Sequence, residues 1–204
     1  MEISFVKTAI HTVSSALEIP AIIVLIAVMV IVVFELGTLC VEFFKDRARG
    51  RLSATRILAQ LAAAERKDYA GILEKSSFLK EQKAAFAGLL ANEDLDSDER
   101  RLYATQIVTD EEKRLDKRVS VTDVIARIAP MFGLMATLIP LGPGLISLGQ
   151  GDTKGLADSL LTAFDATVAG LVSAGVAFII SKIRKRWYFA DVSAMETVLE
   201  EVIR

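Results

Sequence analysis

Three apolar stretches of bilayer length constrain this chain more than any other feature. They run over residues 20–44, 123–149 and 156–181. About 20 apolar residues at 1.5 Å each cross the hydrocarbon of a membrane, and all three reach that length. Backbone in lipid has to satisfy its own hydrogen bonds, so each stretch is expected to be a helix. The mean hydropathy of +0.43 agrees, since a soluble domain of 204 residues has no place for so much apolar surface.

Basic residues give these spans a direction. Lys45, Arg47, Arg49 and Arg51 follow the first; Lys113, Arg114, Lys117 and Arg118 precede the second; Lys182, Arg184, Lys185 and Arg186 follow the third. The opposite flanks carry only Lys7 and Lys154. The N-terminus is therefore expected outside and the C-terminus in the cytoplasm. Residues 1–19 lack the basic start and small-residue cleavage site of a signal peptide. Ile3, Val6, Ile10, Val13 and Leu17 instead recur at helical spacing, as in an amphipathic helix on the outer interface. Residues 150–155 make an outer turn and 182–204 a cytoplasmic C-terminal helix.

Residues 45–122 are rich in charged residues, contain no proline and show no strand pattern. "LAQLAAAERKDYAGILEKSSFLKEQKAAFAGLL" has helical periodicity. "ANEDLDSDER" breaks it, with Asp96 or Ser97 as N-cap of the next helix, on which Asp110 and Arg114 are spaced for an i,i+4 pair. The expected fold is all-α: three transmembrane helices extended into a cytoplasmic helical bundle. One cysteine, Cys40, and one histidine, His11, leave no basis for a metal cluster or for histidine-based catalysis. The net charge of −2 gives no sign of nucleic-acid binding.

Polar and small residues inside the spans carry the functional signal. On the second, Pro130, Gly133, Thr137, Leu141 and Gly144 share a face nearly stripped of bulk. Such a face suits close helix packing, because lipid gives helices no hydrophobic reason to associate. With Thr137 near mid-span it also suits a lined cavity. Pro140 and Pro143 free backbone carbonyls, which is tolerable only where protein or water satisfies them. On the third span Ala166, Gly170 and Ala174 form one ridge, with Thr167 on their side. Thr162 and Asp165 lie on another face. Asp165 is roughly 14 Å below the outer boundary. An ionised aspartate there costs about 3 kcal/mol, so it faces protein or water, or is neutral. It is either an ion-path residue or a hydrogen-bonded residue that fixes packing between subunits. Glu35 reads as structural, or as drawn toward the cytoplasmic interface.

"VEFFKDR" at the end of the first span, "APMFGLMAT" in the second and "DATVAGLVSAGVAF" in the third, in this order and topology, resemble the MotA/TolQ/ExbB proton channel family, ExbB and TolQ members above all. The resemblance implies a ring-forming subunit of an ion-driven motor in the plasma (inner) membrane. It implies a homopentamer around two copies of a single-span ExbD, TolR or MotB type partner, which supplies the titrating aspartate. Thr137 and Thr167 would face that partner; Gly133, Gly170, Thr162 and Asp165 are further ion-path candidates read from the spans, and the family's acidic role does not transfer to Asp165, which lies on a different face. Pro130, Gly144, Ala166 and Ala174 would pack helices. The coupling ion would be a proton, with sodium the alternative, and no cofactor is called for. Family members carry an acidic residue where this chain has Thr162, and the nearest carboxylate has moved to Asp165. The short cytoplasmic insert speaks against a flagellar stator. A non-conducting membrane scaffold for envelope proteins is the competing function. A membrane enzyme would need clustered His, Cys or carboxylates, and only Asp158 and Asp165 are at hand.

Overall fold

The computed structural model describes residues 2–48, 54–65, 68–76, 78, 80–92 and 96–203. Seven helices follow in order among them: α1 (Glu2–Ala16), α2 (Glu18–Ala48), α3 (Ala54–Ala62), α4 (Tyr69–Lys75), α5 (Lys80–Ala91), α6 (Ser97–Gly149) and α7 (Thr153–Ile203). Three of the helical segments are long and apolar enough to cross a membrane. The described residues contain no strand.

Two compact units divide the chain. The first comprises residues 1–39 and 120–181, the second residues 40–119 and 182–204. Helices α2, α6 and α7 supply a segment to each.

In the first unit α1 ends at Ala16 rather than at residue 19, because the chain turns at Leu17 before α2 begins. Pro20 falls in the first turn of α2, where its missing N–H would have had no intrahelical acceptor. Val6, Val13 and Leu17 of the amphipathic pattern are exposed. The side chains of Ile3, Ile10 and His11 lie outside the described residues. Packing centres on Val28 and Val32 of α2, Ile125 and Ala129 of α6, and Ala174 and Ala177 of α7. Much of the remaining surface of α2 is apolar and exposed, Ile23, Ile26, Val30 and Val33 included.

Helix α6 continues through Pro130, Pro140 and Pro143. The turn between α6 and α7 is tighter than the expected 150–155. Gly151 takes a positive φ of 82°, and the Asp152 carboxylate accepts the Gly155 N–H at 2.9 Å, capping a helix that starts at Thr153.

In the second unit the segment with helical periodicity forms three short helices, α3, α4 and α5. Ser76 is extended (φ −65°, ψ 163°) and caps α4 by donating its N–H to the Leu73 carbonyl. The short helices fold onto the ends of α6 and α7. Ile57, Leu61, Leu73, Phe86 and Leu89 close around Ala104 and around Met195, Val198, Leu199 and Val202 of α7. Burying one such side chain contributes roughly 1.5–3 kcal/mol. Helix α6 starts at Ser97 as the sequence suggests, and Glu99 accepts the Asp96 N–H at 3.1 Å, half of a capping box. Arg49 and Arg51 lie outside the described residues, as do the side chains of Lys45 and Arg47.

Candidate functional site

The α6–α7 hairpin is built on close backbone approach. A Cβ placed on Gly170 would stand 2.8 Å from the Ala129 carbonyl oxygen and 2.9 Å from the Gly133 Cα. One on Gly133 would touch the Ala166 carbonyl and the Gly170 Cα at 3.4 Å, and one on Gly144 would stand 3.0 Å from the Ser159 Cβ. Gly133 and Gly170, expected beside the ion path, thus face each other, and the role visible in the protomer is helix packing. Gly144 lies against Ser159 and Leu156, the Ala166 carbonyl lies against Gly133, and Ala174 belongs to the buried core with Val28 and Val32. Pro130 is half-buried.

These contacts fix the register of the antiparallel pair. Gly144 meets Ser159 and Gly133 meets Gly170, so one step forward on α6 is one step back on α7. Thr137 is consequently level with Ala166, between Asp165 and Thr167. The two hydroxyls share one height along the hairpin, both half-buried. Thr137 donates to the Leu134 carbonyl at 2.7 Å, and Thr162, which is exposed, to the Asp158 carbonyl at 3.0 Å. Hydroxyls held this way keep their lone pairs for a visiting donor. Asp165 is five residues from Gly170, about 140° around α7 from the seam at 3.6 residues per turn. It is exposed and points away from α6. The protomer therefore brings Thr137 and Thr167 to one level and leaves Asp165 on the far side of α7.

The sequence model of the MotA/TolQ/ExbB proton channel family matches residues 74–197, more than half of the chain. The chain belongs to that family. The match takes in all of α6 and α7 as far as residue 197, with Thr137, Asp165 and Thr167 inside it. No curated protein matches the chain. A family of membrane channels and three apolar helices of spanning length make this a membrane protein.

Further polar groups escaped the sequence reading. In the first unit the Ser181 hydroxyl donates to Asp123, and Thr122 beside it is fully buried. A carboxylate at the start of one span and a hydroxyl at the end of the next were the available signal. In the second unit Arg184, one of the basic residues that follow the third span, is buried and donates from Nε to Glu42 Oε2 at 3.1 Å. Arg118 reaches the other Glu42 oxygen at 4.0 Å, and Phe43 stacks on Trp187 with ring centres 6.0 Å apart. "VEFF" of α2 thus grips "RKRW" of α7. The Tyr188 hydroxyl is buried without a hydrogen bond of ordinary geometry. Burial, with the Glu42 charge adding to it, raises its pKa above the usual 10, and the nearby Arg184 and Arg118 offset this only in part.

The expected Asp110–Arg114 pair does not form. Asp110 pairs with Lys113 at 3.7 Å and accepts from Gln106, whereas Arg114 forks onto Glu111 at 2.7 and 2.8 Å. Glu111 is buried and takes a further bond from Gln82 at 2.8 Å, so the guanidinium is drawn to the carboxylate fixed in the core. That bond, above all, raises the Arg114 pKa beyond its ordinary value. Among the described residues no group of three or more His, Cys, Asp or Glu side chains could hold a metal ion.

Proposed function

We propose that the chain is the ring subunit of an ion-driven membrane motor in the plasma membrane. Five copies surround two membrane helices of an ExbD/TolR-like single-span partner, with the N-terminus outside and the C-terminus in the cytoplasm. The observation that carries this reading is the shared height of Thr137 and Thr167 on a hairpin locked by backbone contact. Repeated around an axis, that hairpin presents a girdle of hydroxyls at one depth.

A girdle of this kind is suited to a carboxyl group on a central helix. Each hydroxyl accepts a hydrogen bond from the protonated acid, and water drawn to the polar girdle receives the proton on release. The Gly133–Gly170 contact keeps the two hydroxyls in step as the ring moves. The membrane potential supplies about 2.3 kcal/mol per charge per 100 mV, several times thermal energy, enough to bias one step per ion. The proton is the coupling ion favoured, sodium the alternative, and no cofactor takes part. Without the partner's carboxyl the ring has no titrating group tied to its position, so the chain alone conducts poorly.

Native mass measurement of the detergent-extracted protein, with and without its partner, tests the assembly. Five copies with two partner chains are expected. A solitary protomer under both conditions refutes the ring.

A further inference from the structure

We propose that a groove between α6 and α7 in the second unit docks a short basic segment of the single-span partner, the stretch that leaves the cytoplasmic end of its membrane helix. The inference rests on the motor reading and adds to it a second place at which the partner is held. The groove opens between residues 112–119 of α6 and 185–192 of α7 and measures about 190 Å³. Leu115, Val119 and Val192, all buried, make its apolar floor. Tyr188 and Phe189 line the α7 side, and Phe189 is 77% exposed.

Charge decides what such a groove takes. Glu112 and Asp116 line it four residues apart on α6, both exposed, and among the described residues neither is held in an ion pair. Like charges at this spacing repel along a helix. The neighbouring carboxylates differ, because Asp110 pairs with Lys113, Glu111 with Arg114 and Glu42 with Arg184. On the α7 wall Lys185 sets one cation against the two carboxylates. A Lys or Arg side chain entering here lays its aliphatic stem on the floor and its cation between the carboxylates and the Phe189 ring.

Depth decides which protein brings that side chain. Residue 185 comes four residues after the third span and residue 119 four before the second. A segment bound along the groove therefore lies roughly 6–17 Å from the inner boundary of the bilayer. Cytoplasmic flanks of membrane helices are rich in Lys and Arg, so a partner helix enclosed by the ring delivers basic side chains at this height. Two other occupants are disfavoured. The cytoplasmic leaflet is anionic, and an acidic wall repels its headgroups. A subunit interface takes about 800 Å² from each side and few charges at its centre, whereas this charged, narrow groove holds a side chain or two. With two partner chains in a ring of five, at most two grooves are filled at once.

Photo-cross-linking in cells that express the chain with its single-span partner tests this. Phe189→p-benzoylphenylalanine is expected to give an adduct on the partner, within about eleven residues of the cytoplasmic end of its helix, and no more than two adducts per ring. The same group at Leu102, 71% exposed but outside the groove, is expected to give none. Glu112→Lys with Asp116→Lys should lower the yield roughly tenfold, the loss of two exposed ion pairs, and reversing the partner's basic residues to Glu should restore it. An adduct on a second copy or on lipid, five adducts per ring, no adduct, or a yield indifferent to the charge reversals overturns the proposal. Native mass reads the assembly separately. Five chains with two partners and no adduct remove the groove and leave the motor, whereas a solitary protomer removes both.

Discussion

Gly170→Ala probes the hairpin on which the hydroxyl girdle depends. The added methyl would stand 2.8 Å from the Ala129 carbonyl oxygen and 2.9 Å from the Gly133 Cα. Both are backbone atoms and cannot rotate aside. Reaching ordinary contact near 3.4 Å requires α6 and α7 to separate by about 0.6 Å, which forfeits roughly a quarter of the contact attraction along the seam. Overpacking of this kind costs about 1–3 kcal/mol. Helix propensity works the other way, favouring Ala over Gly by about 1 kcal/mol. Gly175→Ala isolates that term, because a Cβ there meets nothing within 4 Å. The gap between the two variants is expected to be about 2 kcal/mol, roughly 4–8 °C in Tm for a chain of this size. Gly133→Ala, at 3.4 Å, should fall between them. Thermal unfolding of the detergent-solubilised protein reads all three. Equal Tm values for Gly170→Ala and Gly175→Ala would refute the close backbone contact and the register built on it.

Two further outcomes follow from the second unit. Glu42→Gln removes the charge to which the buried Arg184 donates and is expected to cost about 2 kcal/mol in denaturant unfolding, the range of a hydrogen bond between charged groups; a loss below about 0.5 kcal/mol would mean the pair is solvated. The raised Tyr188 pKa means the folded state holds its proton more tightly than the unfolded state. Stability from this source is whole below pH 10 and is lost as pH rises through the folded value. Tyr188→Phe should therefore flatten the alkaline limb of the stability profile, and at neutral pH it should be neutral or stabilising because it removes an unbonded hydroxyl. A steeper alkaline loss in the variant would contradict the assignment.

The spans were legible because run length and hydropathy act locally along the chain. So was the far-side position of Asp165, which a helical period alone places away from Ala166, Gly170 and Ala174. The α6 start at Ser97 was legible from the break in "ANEDLDSDER" and its N-cap candidates, Asp96 and Ser97. The break of α3, α4 and α5 was not, because periodicity persists across Ser76 while its extended backbone ends α4. The partners of Arg114 and Arg184 were also hidden. A charged residue at a span's end reads as solvated until a distant carboxylate, Glu111 in the core or Glu42 on α2, is brought beside it. The meeting of Gly133 with Gly170 needed the tight turn at Gly151, which sets the register and which composition does not specify.

Ion flux tests the central claim most directly. The chain and its single-span partner are reconstituted in liposomes, and proton uptake is followed under an imposed potential, with sodium present and absent. Flux is expected only when both proteins are present, and Thr137→Val or Thr167→Val should reduce it to the level of the chain alone while the mass of the assembly is unchanged. Full flux in both variants, or equal flux without the partner, would contradict a hydroxyl girdle that serves a titrating partner helix.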